Sequence, residues 1–436
     1  MSDHVDPVAF FRDVAARHRR CFWLDGGGAR EWSGRRSIIG WLDPDAVSVS
    51  YDAARRVVSL HDGSGTRQVG DDVFAVLEEM VDAGEQWFGY LGHAARPDLP
   101  ALVGDPGDPA RVPDAVWMRA SHVRMFDHPP SYGSSPQRCV RRVPGEENRP
   151  PPPLPGRKSP HAPLPERHDW YGAAFARVQE HLHAGNSYEV NLTYRLEQDS
   201  DLDPVTAYLR LRDLNPAPYA GFLQHDVPGA RAWLLSSSPE RYALITPDRL
   251  IETKPIKGTT PRGADLNSDE ALRRRLATDP KTRAENLMIV DLLRNDLSMV
   301  CEPGSVAVPV LMDVESYESV HQLVSTVRGR LRDGVTTVGA LRALFPAGSM
   351  TGAPKLRTME IIDEVEATPR GAYAGAFGWI GGDGGADLGV VIRSLVTAGS
   401  GRWLLGTGGG ITVRSDVDEE WAESRWKAER LLRVFD

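Results

Sequence analysis

Apolar and polar positions alternate in short runs over the first 127 residues. CFWLD (21–25), SIIGWLD (37–43), AVSVSYD (46–52) and RRVVSLHD (55–62) read as strands punctuated by Gly and Asp. DDVFAVLEEMVDAG (71–84) carries the helical period and predicts an amphipathic helix ending at Gly84. QWFGYLGHAA (86–95) sets glycines among aromatics, as in a strand whose backbone a neighbour approaches closely. The pattern then vanishes: from His128 onward, and above all in RPPPPLPGRKSPHAPLP (149–165), proline removes backbone donors and helical geometry, which predicts an extended, solvated connector over 128–165.

Periodicity returns at 168. HDWYGAAFARVQEHLHAG predicts a helix with Tyr171, Phe175, Val178 and Leu182 on one side and Gly185 as its stop. NSYEVNLTYRLE predicts a strand, with Tyr188, Val190 and Leu192 on one face and Glu189, Asn191 and Thr193 on the other. RAWLLSSSPERYALITPDRLIET reads as two hairpin strands turning around Ser238–Glu240 and Pro247–Asp248. Asp279-Pro280 is a helix start, and the following KTRAENLMIVDLLRNDL is apolar nearly all round, which predicts a buried helix. Glu285, Asp291 and Asp296 in or beside that run then need partners, with Arg283 and Arg294 nearest in sequence. SVHQLVSTVRGRL predicts a strand carrying His321, which reads either as a hydrogen-bonded core histidine or as a base. FPAGSMTGAPK is a small-residue loop without P-loop spacing, leading into a helix. RGAYAGAFGWIGG, ADLGVVIRSLVTA and RWLLGTGGGITVRS predict three successive strands before a last helix from Ser415 or Asp416.

Composition narrows the class. The 436 residues are 41% hydrophobic and 25% charged, ordinary for a soluble globular protein. No apolar run reaches the roughly 18 residues of a membrane span, and the acidic N-terminus has no secretory pattern, so a cytoplasmic location is expected. A net charge of −9 argues against a nucleic-acid partner. Cys21, Cys139 and Cys301 are scattered and indicate neither a disulfide framework nor a zinc site.

Three places carry candidate chemistry. IETKPIKGTTPRG (251–263) sets Lys257 between a Pro-Ile pair and a Gly-Thr-Thr turn, with Lys254 and Arg262 beside it: either a basic hairpin loop or a rigid site for an anion. Gly408, Gly409 and Gly410 expose backbone N–H groups that suit a carboxylate, or only allow tight packing. Glu420 and Glu423 are neighbours on the last helix; Glu423 with Lys427 is a surface ion pair, or with a third carboxylate the pair suits Mg²⁺.

In chain order, SPERY, ETKPIKGTTPRG, AENLMIVDLLRNDL, VHQLVST, FPAGSMTGAPK, RGAYAGAFGWI, VVIRS and GTGGGI resemble the chorismate-binding enzymes, from about Trp170 to the C-terminus; CFWLD, SIIGW and WFGYLG extend the likeness more weakly. The resemblance implies an α+β fold of two facing β-sheets flanked by helices, in four α/β/β/α layers. A region at 1–127 would pack on a catalytic region at 166–436. It implies Mg²⁺ held by Glu285, Glu420 and Glu423. Chorismate would be held by Thr259, Tyr373, Arg393 and Gly408 to Gly410, with Lys257, Glu240 and His321 as catalytic residues.

Within the family, lysine at the Pro-Ile-x-Gly-Thr position resembles the members that aminate chorismate to 4-amino-4-deoxychorismate through a covalent lysine adduct. Anthranilate synthases usually carry alanine there. An attacking Lys257 must be neutral, which requires its pKa to be depressed by burial or by cations such as Lys254 and Arg262. Glu189, where water-adding relatives carry a lysine base, disfavours isochorismate or salicylate synthesis, and Gly26, where tryptophan-sensing relatives carry serine, argues against tryptophan feedback. No Gly-x-Cys-x-Gly nucleophile elbow is present, so ammonia is expected from a glutamine amidotransferase partner or from solution. Anthranilate synthase component I and a catalytically silent chorismate-binding subunit are the alternatives.

Overall fold

Helices start where the side chain just before them can satisfy the first free N–H groups. Asp6, Asp203 and Asp279 each precede a proline and cap the helices Pro7–Arg17, Pro204–Leu214 and Pro280–Ser298. The computed structural model describes residues 6–26, 36–128, 169–317 and 320–436. The connector expected over 128–165 lies outside the described residues from 129 onward, as does Cys139. Cys21 and Cys301 are free and buried.

The strands form two large sheets among the described residues. One runs Gly352–Ala353, Glu189–Asp199, Arg402–Ile411, Ser394–Thr397, Ala232–Ser238, Tyr219–His225, Arg20–Asp25, Arg36–Trp41, His122–Asp127. The other runs Ile256–Pro261, Val320–Arg330, Leu250–Lys254, Arg241–Ile245, Ala386–Val390, Ala376–Gly381, Gln86–Leu91, Ala115–Arg119, Ser48–Asp52, Val57–Asp62, Gly65–Gly70, with Ala307–Ser316 also paired to Val320–Arg330. The N-terminal strands are continuous with the rest: Arg20–Asp25 pairs with Tyr219–His225, and Gln86–Leu91 with Ala376–Gly381. The four expected layers are present.

Phe22, Leu223, Leu234 and Val396 of the first sheet meet Phe88, Tyr90, Met118 and Phe377 of the second in an apolar interlayer. The Phe22 and Phe88 rings stack at 3.9 Å. Gly89 shows the close backbone approach expected of its strand, since a Cβ there would lie 2.1 Å from the Val116 carbonyl oxygen. Outside the second sheet, Val73–Met80, Pro280–Ser298 and Thr337–Leu344 bury one face each; outside the first, Pro7–Arg17, Pro204–Leu214 and Val417–Leu432 do the same. No described helix is long and apolar enough to cross a membrane.

Several expectations need correction. The second helix stops at Met80, because Asp82–Glu85 closes a turn that uses Gly84 at φ +85°. Tyr188 is exposed, just outside a strand that is buried on both faces from Glu189 to Tyr194. The Pro280–Ser298 helix is buried on one side only: Leu287 and the Asp291–Arg294 pair face solvent, and buried Asp296 is paired with Lys355 at 2.7 Å rather than with a neighbouring arginine.

Two corrections bear on function. Ser238–Glu240 does not turn a hairpin: Ala232–Ser238 belongs to the first sheet and Arg241–Ile245 to the second, so the chain crosses between layers there. Pro239, which has no N–H for a ladder, sits at the crossing. ADLGVVIRSLVTA likewise makes two strands, Ala386–Val390 in the second sheet and Ser394–Thr397 in the first. Its break is sharp: Arg393 takes φ +51°.

Candidate functional site

Both crossings open onto one cleft of about 570 Å³. Glu240 comes from the first crossing and Arg393 from the second. Lys257 and Thr259 come from the edge strand, Glu285 and Lys281 from Pro280–Ser298, and Glu420, Glu423, Trp426 and Lys427 from Val417–Leu432. Tyr373 and the backbone of Gly406–Gly410 complete it.

Lys257 lies on an irregular edge. Ile256–Pro261 pairs with Val320–Arg330, but the register shifts between Ile256 and Thr259, which re-aims the intervening side chain. Gly258 is required there: φ is +82°, and a Cβ would lie 2.3 Å from Thr282 Cγ2. The segment is thus a bulged strand rather than a hairpin loop: it continues the register of Leu250–Lys254 along the same edge of Val320–Arg330, while Ala307–Ser316 pairs with the opposite edge.

Gly406, Gly409 and Gly410 of Arg402–Ile411 each admit a functional side chain to the backbone. A Cβ on Gly406 would strike the Tyr373 ring at 2.1 Å, and one on Gly409 would lie 3.1 Å from Glu420 Oε2. At Gly410 a Cβ would lie 2.1 Å from Glu189 Oε1 and 3.1 Å from Lys257 Nζ. Pairing with Ser394–Thr397 involves only Trp403 and Leu404, so beyond them that edge of Arg402–Ile411 has no strand partner among the described residues. N–H groups on this bare edge suit a carboxylate.

The electrostatics divide the site. Burial pushes the Glu240 carboxyl up to about 7, against the opposing effects of a Ser349 hydrogen bond and the Lys257 charge. Burial also raises Glu285 to about 7, with Lys257 opposing and Glu189 adding like-charge repulsion. Arg393 is pushed down to about 10 by burial, still protonated at neutral pH, and its guanidinium lies 5.5 Å from the Trp426 ring centre.

Lys257 departs from expectation. Burial pushes its ammonium down, but the carboxylates around it, Glu189 first by charge and hydrogen bond and then Glu285 and Glu240, together more than offset this, so the net direction is up. The sequence neighbours do not act on it. Lys254 binds Glu315 at 2.5 Å, and Arg262 binds Asp269 at 2.6 Å.

The structure brings Lys257, Glu240, Thr259, Tyr373, Arg393, Gly408, Gly409, Gly410, Glu285, Glu420 and Glu423 to the cleft. His321 stands apart. Its neighbour Gln322 lines the cleft, so strand alternation turns the His321 ring to the other face, where Nδ1 meets Ser316 Oγ at 2.7 Å and Nε2 meets Asp269 Oδ1 at 3.0 Å. It braces the edge opposite Thr260. Sequence reasoning passed over Lys281, one helical turn before Glu285, which reaches Glu420 Oε1 at 3.4 Å.

The three acids fit Mg²⁺ in kind, being anionic oxygen donors around one cleft. They are held by other groups: Glu420 by Lys281 and by Ser415 at 2.8 Å, Glu423 by Lys427 at 2.7 Å. No cluster of three potential ligands is assembled among the described residues.

A family model described as chorismate binding enzyme matches residues 19–433. The chain is 40% identical to an aminodeoxychorismate synthase of Streptomyces pristinaespiralis, covering 98% of this chain and 63% of that protein. It is 42% identical to one of Streptomyces griseus, covering 95% and 61%. The chain therefore spans about three fifths of the length of these curated relatives. Its fold matches the crystal structure of anthranilate synthase component I from Streptococcus pneumoniae with a TM-score of 0.71 at 24% identity, over 99% of this chain and 98% of that one.

Proposed function

The chain belongs to the chorismate-binding enzyme family, and from that premise we propose that it aminates chorismate to 4-amino-4-deoxychorismate through a covalent Lys257 adduct. Ammonia comes from a glutamine amidotransferase partner or from solution. The observation that carries this reading is Lys257, an amine bulged into the cleft, hydrogen-bonded to Glu189 and close enough to the buried Glu240 to feel its charge. The kinship with aminodeoxychorismate synthases supports it.

Chorismate is a dianion, so its carboxylates need cationic or N–H partners: Arg393, the phenol of Tyr373 and the bare edge at Gly408–Gly410 supply them. Glu285, Glu420 and Glu423 would hold Mg²⁺, which supplies positive charge to a substrate carboxylate. The Lys257 amine bonds to the ring carbon as the C–O bond to the ring hydroxyl breaks, and Glu240 donates the proton that lets the hydroxyl leave as water. Ammonia then displaces the lysine nitrogen.

Glu240 sets a pH limit. Its folded pKa of about 7 is above the ordinary 4.5, so between those values the folded state holds a proton that the unfolded chain releases. Its burial therefore costs stability as pH rises through that window, and the acid form needed for catalysis is lost above about 7. Glu240→Gln is expected to lower kcat about 10²–10⁴-fold and to abolish the fall in kcat/KM expected of the native chain above about pH 7. An unchanged pH profile would remove Glu240 as the acid.

The decisive assay incubates the purified chain with chorismate and ammonium, with and without Mg²⁺ and with and without aminodeoxychorismate lyase. p-Aminobenzoate that needs both Mg²⁺ and lyase is the expected result. Anthranilate formed without lyase would make the chain an anthranilate synthase component I, and intact chorismate would leave a silent binding subunit.

A further inference from the structure

A nucleophilic lysine has to lose a proton to something. Lys257 donates a hydrogen bond to Glu189 Oε1, and the two side chains are well enclosed, with 13% and 1% exposed. Glu189 is the first residue of the Glu189–Asp199 strand, and its side chain lies against the backbone of Gly410, where even a methyl group would collide with it. Bare backbone at 410 therefore makes room for this contact.

Three other carboxylates face Lys257. Glu240 at the first layer crossing bonds Ser349, Glu285 on Pro280–Ser298 lies near Lys281, and Glu423 on the last helix is tied to Lys427. Glu240 is the proton donor to the leaving hydroxyl in the reading above, and its hydrogen-bond partner is Ser349 rather than Lys257. Glu189 Oε2 is buried with no hydrogen-bond partner among the described residues. A carboxylate so poorly solvated relies on the Lys257 ammonium as its partner, and that ammonium is the proton donor within hydrogen-bond reach of it.

We propose that Glu189 is a catalytic proton acceptor, taking the proton from the Lys257 ammonium to generate the attacking amine. The proposal rests on the covalent reading above. The step converts Lys257–NH₃⁺ and Glu189–COO⁻ into Lys257–NH₂ and Glu189–COOH. The amine lone pair then forms the C–N bond while the hydroxyl departs with the Glu240 proton. When ammonia displaces the lysine, Lys257 leaves as the neutral amine and recovers its proton from Glu189; the product ammonium returns one proton to Glu240. The sum is chorismate plus ammonia giving the amino product plus water.

This assignment separates from a merely structural ion pair because the two make opposite predictions for Glu189→Gln. Removing the carboxylate charge makes Lys257 easier to deprotonate, so its labelling by an amine-reactive reagent, followed by peptide mass spectrometry, should reach half-maximum at lower pH than in the native chain. If Glu189 only holds Lys257, the variant, with more neutral amine, aminates as fast or faster. If Glu189 accepts the proton, kcat falls about 10²–10⁴-fold while KM for chorismate stays within several-fold. Glu189→Asp, which keeps a carboxylate, should retain a kcat at least about tenfold above the glutamine variant; it also serves as the test should the glutamine variant not fold, with a kcat as low as that of Lys257→Arg overturning the proposal. Native kcat in Glu189→Gln, with kcat lost in Lys257→Arg, sinks the Glu189 assignment alone. Native kcat in both variants sinks the covalent reading and this proposal with it.

Discussion

Replacing Lys257 with arginine is expected to reduce amination by at least about 10³-fold, the scale on which loss of a covalent nucleophile shows. Arginine keeps a positive charge opposite Glu189 but cannot become neutral, so it preserves the ion pair and removes the reacting amine. Lys257→Ala removes both, and it leaves the buried Glu189 carboxylate without its cation, a change that costs about 3–5 kcal/mol where such pairs are broken. The arginine variant is therefore the cleaner test of chemistry. Product formation from chorismate and ammonium, measured by chromatography beside a thermal melt, separates the two effects. A mass increase on the Lys257 peptide, trapped in the native chain given chorismate without ammonia, should be missing in both variants. Native turnover in Lys257→Arg would exclude lysine as the nucleophile.

How Lys257 is controlled was not legible in the residues around it. Lys254 and Arg262 are its nearest cations in sequence, but each is bound to an acid of its own, Glu315 and Asp269. The group that acts on it, Glu189, is 68 residues upstream and reaches it only because two strands from different sheets converge on Gly410. Strand alternation did place Glu189 and Asn191 on one face, and the motif string did mark the side chains that meet in the cleft. It could not reveal that His321 faces away, because a strand histidine reads the same on either face.

The layers themselves were half legible for a related reason. Apolar runs mark a strand but not the sheet it joins, and where both faces are buried no polar side records the choice. Ser238–Glu240 and Val391–Arg393 therefore look like an ordinary turn and an unbroken strand, whereas they are the two places where the chain changes sheet. Those changes deliver Glu240 and Arg393 to the cleft. Lost ladder regularity at these points is how the fold frees backbone and side chains for a ligand.

The cleft wall at Asn191 and Met350 is held by a buried ion pair. Glu366 and Arg370 are each 2% exposed, with Arg370 Nε on Glu366 Oε2 at 2.9 Å and Nη2 on Oε1 at 2.7 Å. Arg370 also donates to the carbonyls of Met350 and Asn191, and Glu366 accepts from the Thr193 N–H and hydroxyl. Met350 and Asn191 line the cleft, so the pair ties the end of a helix to the cleft wall. Glu366→Ala strands a buried guanidinium and two Thr193 donors, and is expected to cost about 3–5 kcal/mol of stability, read from guanidinium unfolding. Chorismate KM should rise as Asn191 loses its anchor. Removing Arg370 as well relieves the stranded charge, so the double variant should lose less than the sum of the two single changes. A cost below about 1 kcal/mol for Glu366→Ala, the value of an exposed pair, would mean that water or a shifted neighbour replaces the carboxylate and that the wall stands without it.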